Sequence, residues 1–140
     1  MTYNNASQQY AKTKIQTASS GDLVIMLYQG CIKFMRLARK SMEQGDIPNT
    51  NNYLIRSQDI IMELLTTLDN EKGGEVARNL AALYEYMHRE LIQANLTKDP
   101  EPIDQVEEIM LELLEAWQEA VKKDRKENGR DRLNMKVGGR

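Results

Sequence analysis

The stretch SSGDLVIMLYQGCIKFMRLARKSM, Ser19 to Met42, decides the fold. Val24, Leu27, Tyr28, Cys31, Met35, Ala38 and Met42 repeat at three- and four-residue spacing, which places them on one face of a helix. Lys33, Arg36, Arg39 and Lys40 supply a polar back. Ser19 and Asp22 have the spacing of a capping box, in which a hydroxyl accepts a backbone N–H and a carboxylate reaches back. The pattern predicts a helix that runs to about Met42 or Gln44 and ends at Gly45-Asp46.

Three further stretches follow the same rule. The second predicted helix runs from about Ile47 to Leu68, with Leu54, Ile61, Leu64, Leu65 and Leu68 inward. Pro48 is tolerated because it falls in the first turn, where backbone N–H groups have no helical partner. Asn70-Glu-Lys-Gly-Gly74 makes a tight connection. The third helix sets off at Gly74 or Glu75 and reaches about Leu96, with Val76, Leu80, Leu83, Met87, Leu91 and Ala94 inward. Asp99 caps the fourth and Pro100 suits its first position. Ile103, Val106, Met110, Leu113, Trp117 and Ala120 form its stripe. Acidic residues fill its start and basic ones begin at Lys122, an order that matches the helix dipole. Gly129 is the expected end of order.

Each helix holds about 20–25 residues, or roughly 30–37 Å at 1.5 Å per residue. Matched lengths and short connections predict an all-α fold, an antiparallel four-helix bundle with an N-terminal arm or short cap helix. The expected division is an arm over 1–18, the bundle over 19–126 and a basic, disordered tail over 127–140.

At 140 residues the chain suits one domain. A single cysteine excludes an internal disulfide, and Cys31 reads as a small core hydrophobe in a reducing compartment. The first ten residues, MTYNNASQQY, have neither the basic flank nor the apolar core of a signal peptide. The apolar run from Leu23 to Tyr28 is far short of the ~20 residues of a membrane span. A cytoplasmic protein without membrane insertion is expected. The net charge of −2 divides into +5 on residues 122–140 and −7 on the rest. An acidic body argues against nucleic acid as the partner.

Candidate chemistry is thin. Glu85 and His88 have the carboxylate-x-x-histidine spacing of di-iron bundles, but such sites need two of these motifs and the chain has one histidine. His88 also invites a phosphotransfer reading, yet Arg89-Glu90-Leu91 follows it without the glycine usual there. There is no phosphate-binding glycine loop and no nucleophile placed for that histidine. A non-enzyme without metal or cofactor is expected.

What stands out is surface. Beyond its inward stripe, the first helix carries Leu23, Ile25, Met26, Phe34 and Leu37, so its early turns are apolar nearly all round. Such an end needs cover on two sides. Met35, Met87 and Met110 read as core filler; Met26 reads equally well as a flexible contact that repacks around a partner.

The block Ile15-Gln-Thr-Ala-Ser19, followed by Leu23-Val-Ile-Met-Leu-Tyr-Gln-Gly30 and preceded by Tyr10, resembles the opening of the flagellar secretion chaperone family FliS. Leu68-Asp69 and Leu114-Glu-Ala-Trp117 also fit that family, and the likeness spans roughly residues 5–123. Ser20 stands where the family often has proline, and Gln29 replaces a common aspartate. The resemblance implies a cytoplasmic export chaperone that binds the disordered C-terminal segment of flagellin. Binding would prevent premature polymerisation and assist secretion through the flagellar type III export apparatus, whose gate components are further implied partners. The partner contacts expected are Tyr10, Ile15, Leu23, Met26, Leu27 and Tyr28. Leu27 and Tyr28 also lie near the core stripe, where a purely structural role is open to them. The arm carrying Tyr10 and Ile15 is expected to fold over the apolar start of the first helix until a client displaces it or packs beside it. The competing occupant of that surface is a second copy of the chain, in a self-associating bundle.

Overall fold

The structure is a computed structural model that describes residues 21–138, with side chains at 21–69 and 71–127. The expectations for the arm, for Ser19 as a cap and for the contacts Tyr10 and Ile15 lie outside the described residues. Four helices are present: α1 (Gly21–Glu43), α2 (Ile47–Thr66), α3 (Asn70–Thr97) and α4 (Glu101–Gly138). Their connections, 44–46, 67–69 and 98–100, are too short for anything but antiparallel neighbours. α1 lies beside α2 and α4, and α3 also lies beside α2 and α4, so the helices close a ring around one core.

Local chemistry sets the corners. Gly45 turns with a φ of 70°, as Gly45 N and Asp46 N bond back to Met42 and Ser41 carbonyls at 3.1 and 2.9 Å. Asp46 then caps α2, its side chain accepting from Asn49 N at 3.2 Å, with Pro48 in the first turn as expected. Asp69 caps α3 by accepting from Glu71 N and Lys72 N, both at 3.1 Å. The helical turn it starts breaks at Gly74, whose φ of 55° and ψ of −130° suit only glycine. The long part of α3 therefore departs at Glu75. Asp99 Oδ1 accepts from Glu101 N at 3.0 Å at the head of α4. The backbone of α4 stays helical to Gly138, beyond Gly129.

The predicted stripes build the core. Val24, Tyr28, Cys31, Met35 and Ala38 meet Leu54, Ile61 and Leu64 of α2. Leu80, Met87, Leu91 and Ala94 of α3 and all six predicted α4 residues complete it. Leu27, Met42, Leu65, Leu68, Val76 and Leu83 pack against this cluster from partly exposed positions. The α3 face is rotated slightly from expectation, because Ala77 and Tyr84 are fully buried where Val76 and Leu83 were expected. Tyr28 and Tyr84 share a hydrogen bond between their hydroxyls, joining α1 to α3 across the middle of the ring.

Candidate functional site

The start of α1 is held from behind and bare in front. Tyr28 has no exposed surface; its ring lies 6.4 Å, centroid to centroid, from both Tyr84 and Trp117. Val24 is buried one turn earlier, and Ile25 and Leu27 lean against the core. Leu23 and Met26 point away from it, 52% and 65% exposed. Four of the six expected contacts are thus described, and they divide in two. Leu23, Met26 and Leu27 bear on one apolar end, while Tyr28 belongs to the interior and offers a partner no surface.

Gly30 lies further along the same flank of α1, where a Cβ would sit 3.4 Å from the Ile60 side chain of α2. The helices run close there. Phe34 stacks on Tyr53 at 6.2 Å, and the Arg56 guanidinium lies over the Phe34 ring, 5.5 Å from its centre. The apolar excess noted at Phe34 is therefore covered by α2, and the uncovered part contracts to Leu23 and Met26.

A second apolar surface lies between α2 and α3. Asn51, Ile55 and Gln58 face Ile92, Asn95, Leu96 and Lys98 across an open groove of about 510 Å³. Ile55, Ile92 and Leu96 are 49%, 38% and 76% exposed. Sequence reasoning missed this surface. Its signal was the one used on α1: Ile55 and Ile92 each stand beside a stripe residue, Leu54 and Leu91, on the flank rather than the inner face. Met62 is a further exposed apolar residue of α2.

The opposite seam, α1 against α4, is closed by charge. The Arg36 Nε bonds Glu107 Oε2 and the Arg39 Nε bonds Asp104 Oδ1, each at 2.7 Å, and Arg39 also pairs with Glu107. Burial alone would raise the Glu107 pKa. The hydrogen bonds and charges of Arg39 and Arg36 outweigh it and hold this carboxyl below the usual range.

Nucleophilic chemistry has little footing in this arrangement. Burial pushes the Cys31 thiol up to about 12, and its Sγ contacts the Ser57 carbonyl at 3.6 Å. His88 is half-buried on α3, and among the described residues no group of three or more His, Cys, Asp or Glu side chains could hold a metal ion. No helix among them is long and apolar enough to cross a membrane. What the geometry provides is two exposed apolar surfaces on one helical frame.

Comparison with known proteins gives these surfaces a context. A family model described as flagellar protein FliS matches residues 3–124. The flagellar secretion chaperone FliS of Bacillus subtilis (strain 168) is 37% identical over 127 residues, covering 91% of this chain and 94% of that protein. Its namesake from Salmonella typhimurium (strain LT2) is 39% identical over 114 residues, covering 81% and 84%. That from Escherichia coli (strain K12) is 33% identical over 120 residues, covering 82% and 88%.

Proposed function

We propose, because the chain belongs to the FliS family of flagellar secretion chaperones, that it is a cytoplasmic carrier that binds the disordered C-terminal segment of flagellin. It performs no chemistry itself. It keeps the segment from polymerising early and presents the complex to the flagellar type III export apparatus. The observation that carries this reading is the exposed pair Leu23 and Met26 on a helix whose other face is locked into the core. The contacts are Leu23, Met26 and Leu27 on α1, joined by Tyr10 and Ile15 from the arm. Tyr28 acts from beneath, holding the helix that presents them. The groove lined by Ile55, Ile92 and Leu96 takes a second part of the same segment.

The physics favours a client without structure of its own. Apolar anchors along an amphipathic segment fill separate grooves, and their burial must exceed an ordering cost of about 2–5 kcal/mol. Two grounds on different sides of the bundle suit a chain that wraps better than one that docks as a rigid body.

Calorimetry with flagellin tests this. Intact flagellin should bind, and flagellin lacking its C-terminal segment should give no heat. Met26→Lys should weaken binding about tenfold or more, since a buried Met side chain is worth about 1.5–3 kcal/mol. Its melting temperature should stay near that of the parent, because Met26 contributes little to the core. Equal binding of truncated and intact flagellin would overturn the reading.

A further inference from the structure

The groove between α2 and α3 ends at a cation. Lys98 caps α3 in the left-handed conformation, φ 56° and ψ 34°. That region costs a side-chain-bearing residue about 1–2 kcal/mol, and glycine or asparagine usually occupies it. The turn carries the lysine side chain back onto the bundle. Its ammonium donates to Asn51 Oδ1 of α2 at 2.6 Å, to Asn95 Oδ1 of α3 at 2.7 Å, and to the Asn95 carbonyl. All three acceptors are uncharged. Among the described residues Lys98 makes no ion pair. A partly buried positive charge is thus oriented by two asparagines and left unneutralised, beside the apolar side chains of Ile55, Ile92 and Leu96.

We propose that this groove selects an amphipathic helical stretch of the client with an Asp or Glu side chain just beyond its apolar anchors, and that Lys98 pairs with that carboxylate. The proposal rests on the reading that the chain binds a disordered client, and it adds which part of a client belongs here and in which direction it lies. Anchors spaced three and four residues apart fill the groove between Ile55 and Leu96. The next turn then meets the ammonium. The C-terminal end of the docked helix points at Lys98, because its exposed carbonyls carry partial negative charge that the cation favours. Replacing one neutral acceptor by a carboxylate turns a neutral contact into a charge-assisted one. The apolar walls exclude water from one side and strengthen it.

The test uses the full chain and two fluorescent helical peptides, each acetylated and amidated, with identical leucine anchors and either Glu or Gln in the turn that follows. Anisotropy should give the Glu peptide about tenfold tighter binding than the Gln peptide at low salt, a preference that shrinks as salt rises. Lys98→Asn keeps a residue suited to the left-handed turn, so the fold should hold. It should bind both peptides alike, and no tighter than the parent chain binds the Gln peptide. Lys98→Arg should restore the preference. A third peptide with Gln and a free C-terminal carboxylate separates a chain terminus from a side chain, and it should bind more weakly than the Glu peptide. Equal affinity of the parent chain for the Glu and Gln peptides, failure of both to bind, or a preference that survives Lys98→Asn would overturn the proposal. Titration of flagellin into parent and Lys98→Asn chains keeps the two readings apart. If flagellin does not bind while the Glu preference persists, the choice of client fails and the groove's selectivity stands.

Discussion

At the scale of single residues, Tyr28 shows how one side chain can be legible in place and ambiguous in role. Its spacing puts it on the inner stripe, while its position in the Leu-Tyr motif suggests a contact. Complete burial against Tyr84 and Trp117 decides for the interior. The hydroxyl pair it forms with Tyr84 ties together two helices that lie diagonally across the ring. Tyr28→Phe and Tyr84→Phe should each cost about 1–2 kcal/mol in urea unfolding. The double variant should cost less than their sum, because both changes remove the same bond. Tyr84 itself escaped the sequence reading: its neighbour Leu83 is the more apolar residue, and both lie within about one turn of the stripe residues Leu80 and Met87. Cys31, Met35, Met87 and Met110 lie in the core as their spacing predicts.

At the scale of elements, several helix ends were readable because a short-range group marks them: Asp99 as a cap, Gly45 and Gly74 at turns. The caps Asp46 and Asp69 emerged only in the structure. The pairing of α1 with α4 was not readable. Arg36 and Arg39 looked like the solvated back of one helix, and Asp104 and Glu107 like that of another. They meet only because the ring closes. This seam makes stability depend on acid. The Glu107 pKa is depressed on folding, so its contribution is complete above the unfolded value, about 4.3, and is lost as pH falls through the lower, folded value. Thermal scans should show a melting temperature that is level from neutral pH toward that range and falls below it. Glu107→Gln should lower the melting temperature at pH 7 and flatten the acid limb. An unchanged limb would mean that other carboxylates govern acid unfolding.

At the scale of the whole molecule, the bundle spends its inner faces on one core and keeps apolar surface at the start of α1 and between α2 and α3. The function proposed above gives that surface to a client; the competing occupant is a second copy. Light scattering of the purified chain should report the 16.1 kDa monomer, with flagellin adding one client mass; a stable dimer unaffected by flagellin would favour the self-associating bundle. Deleting residues 1–17 should increase binding of an apolar dye and change client affinity if the arm covers Leu23 and Met26, and alter neither if it is a passive tail. The sequence by itself determined four helices, most of their inward stripes, the Asp99 cap and the family, because periodicity, capping and motif are all written over short separations. Only the tertiary structure decided that Phe34 is covered, that Tyr28 is interior, that Ile55 and Leu96 border one groove and that Lys98 ends it. Those facts depend on which helix lies next to which, and that is settled by packing between residues distant in the chain.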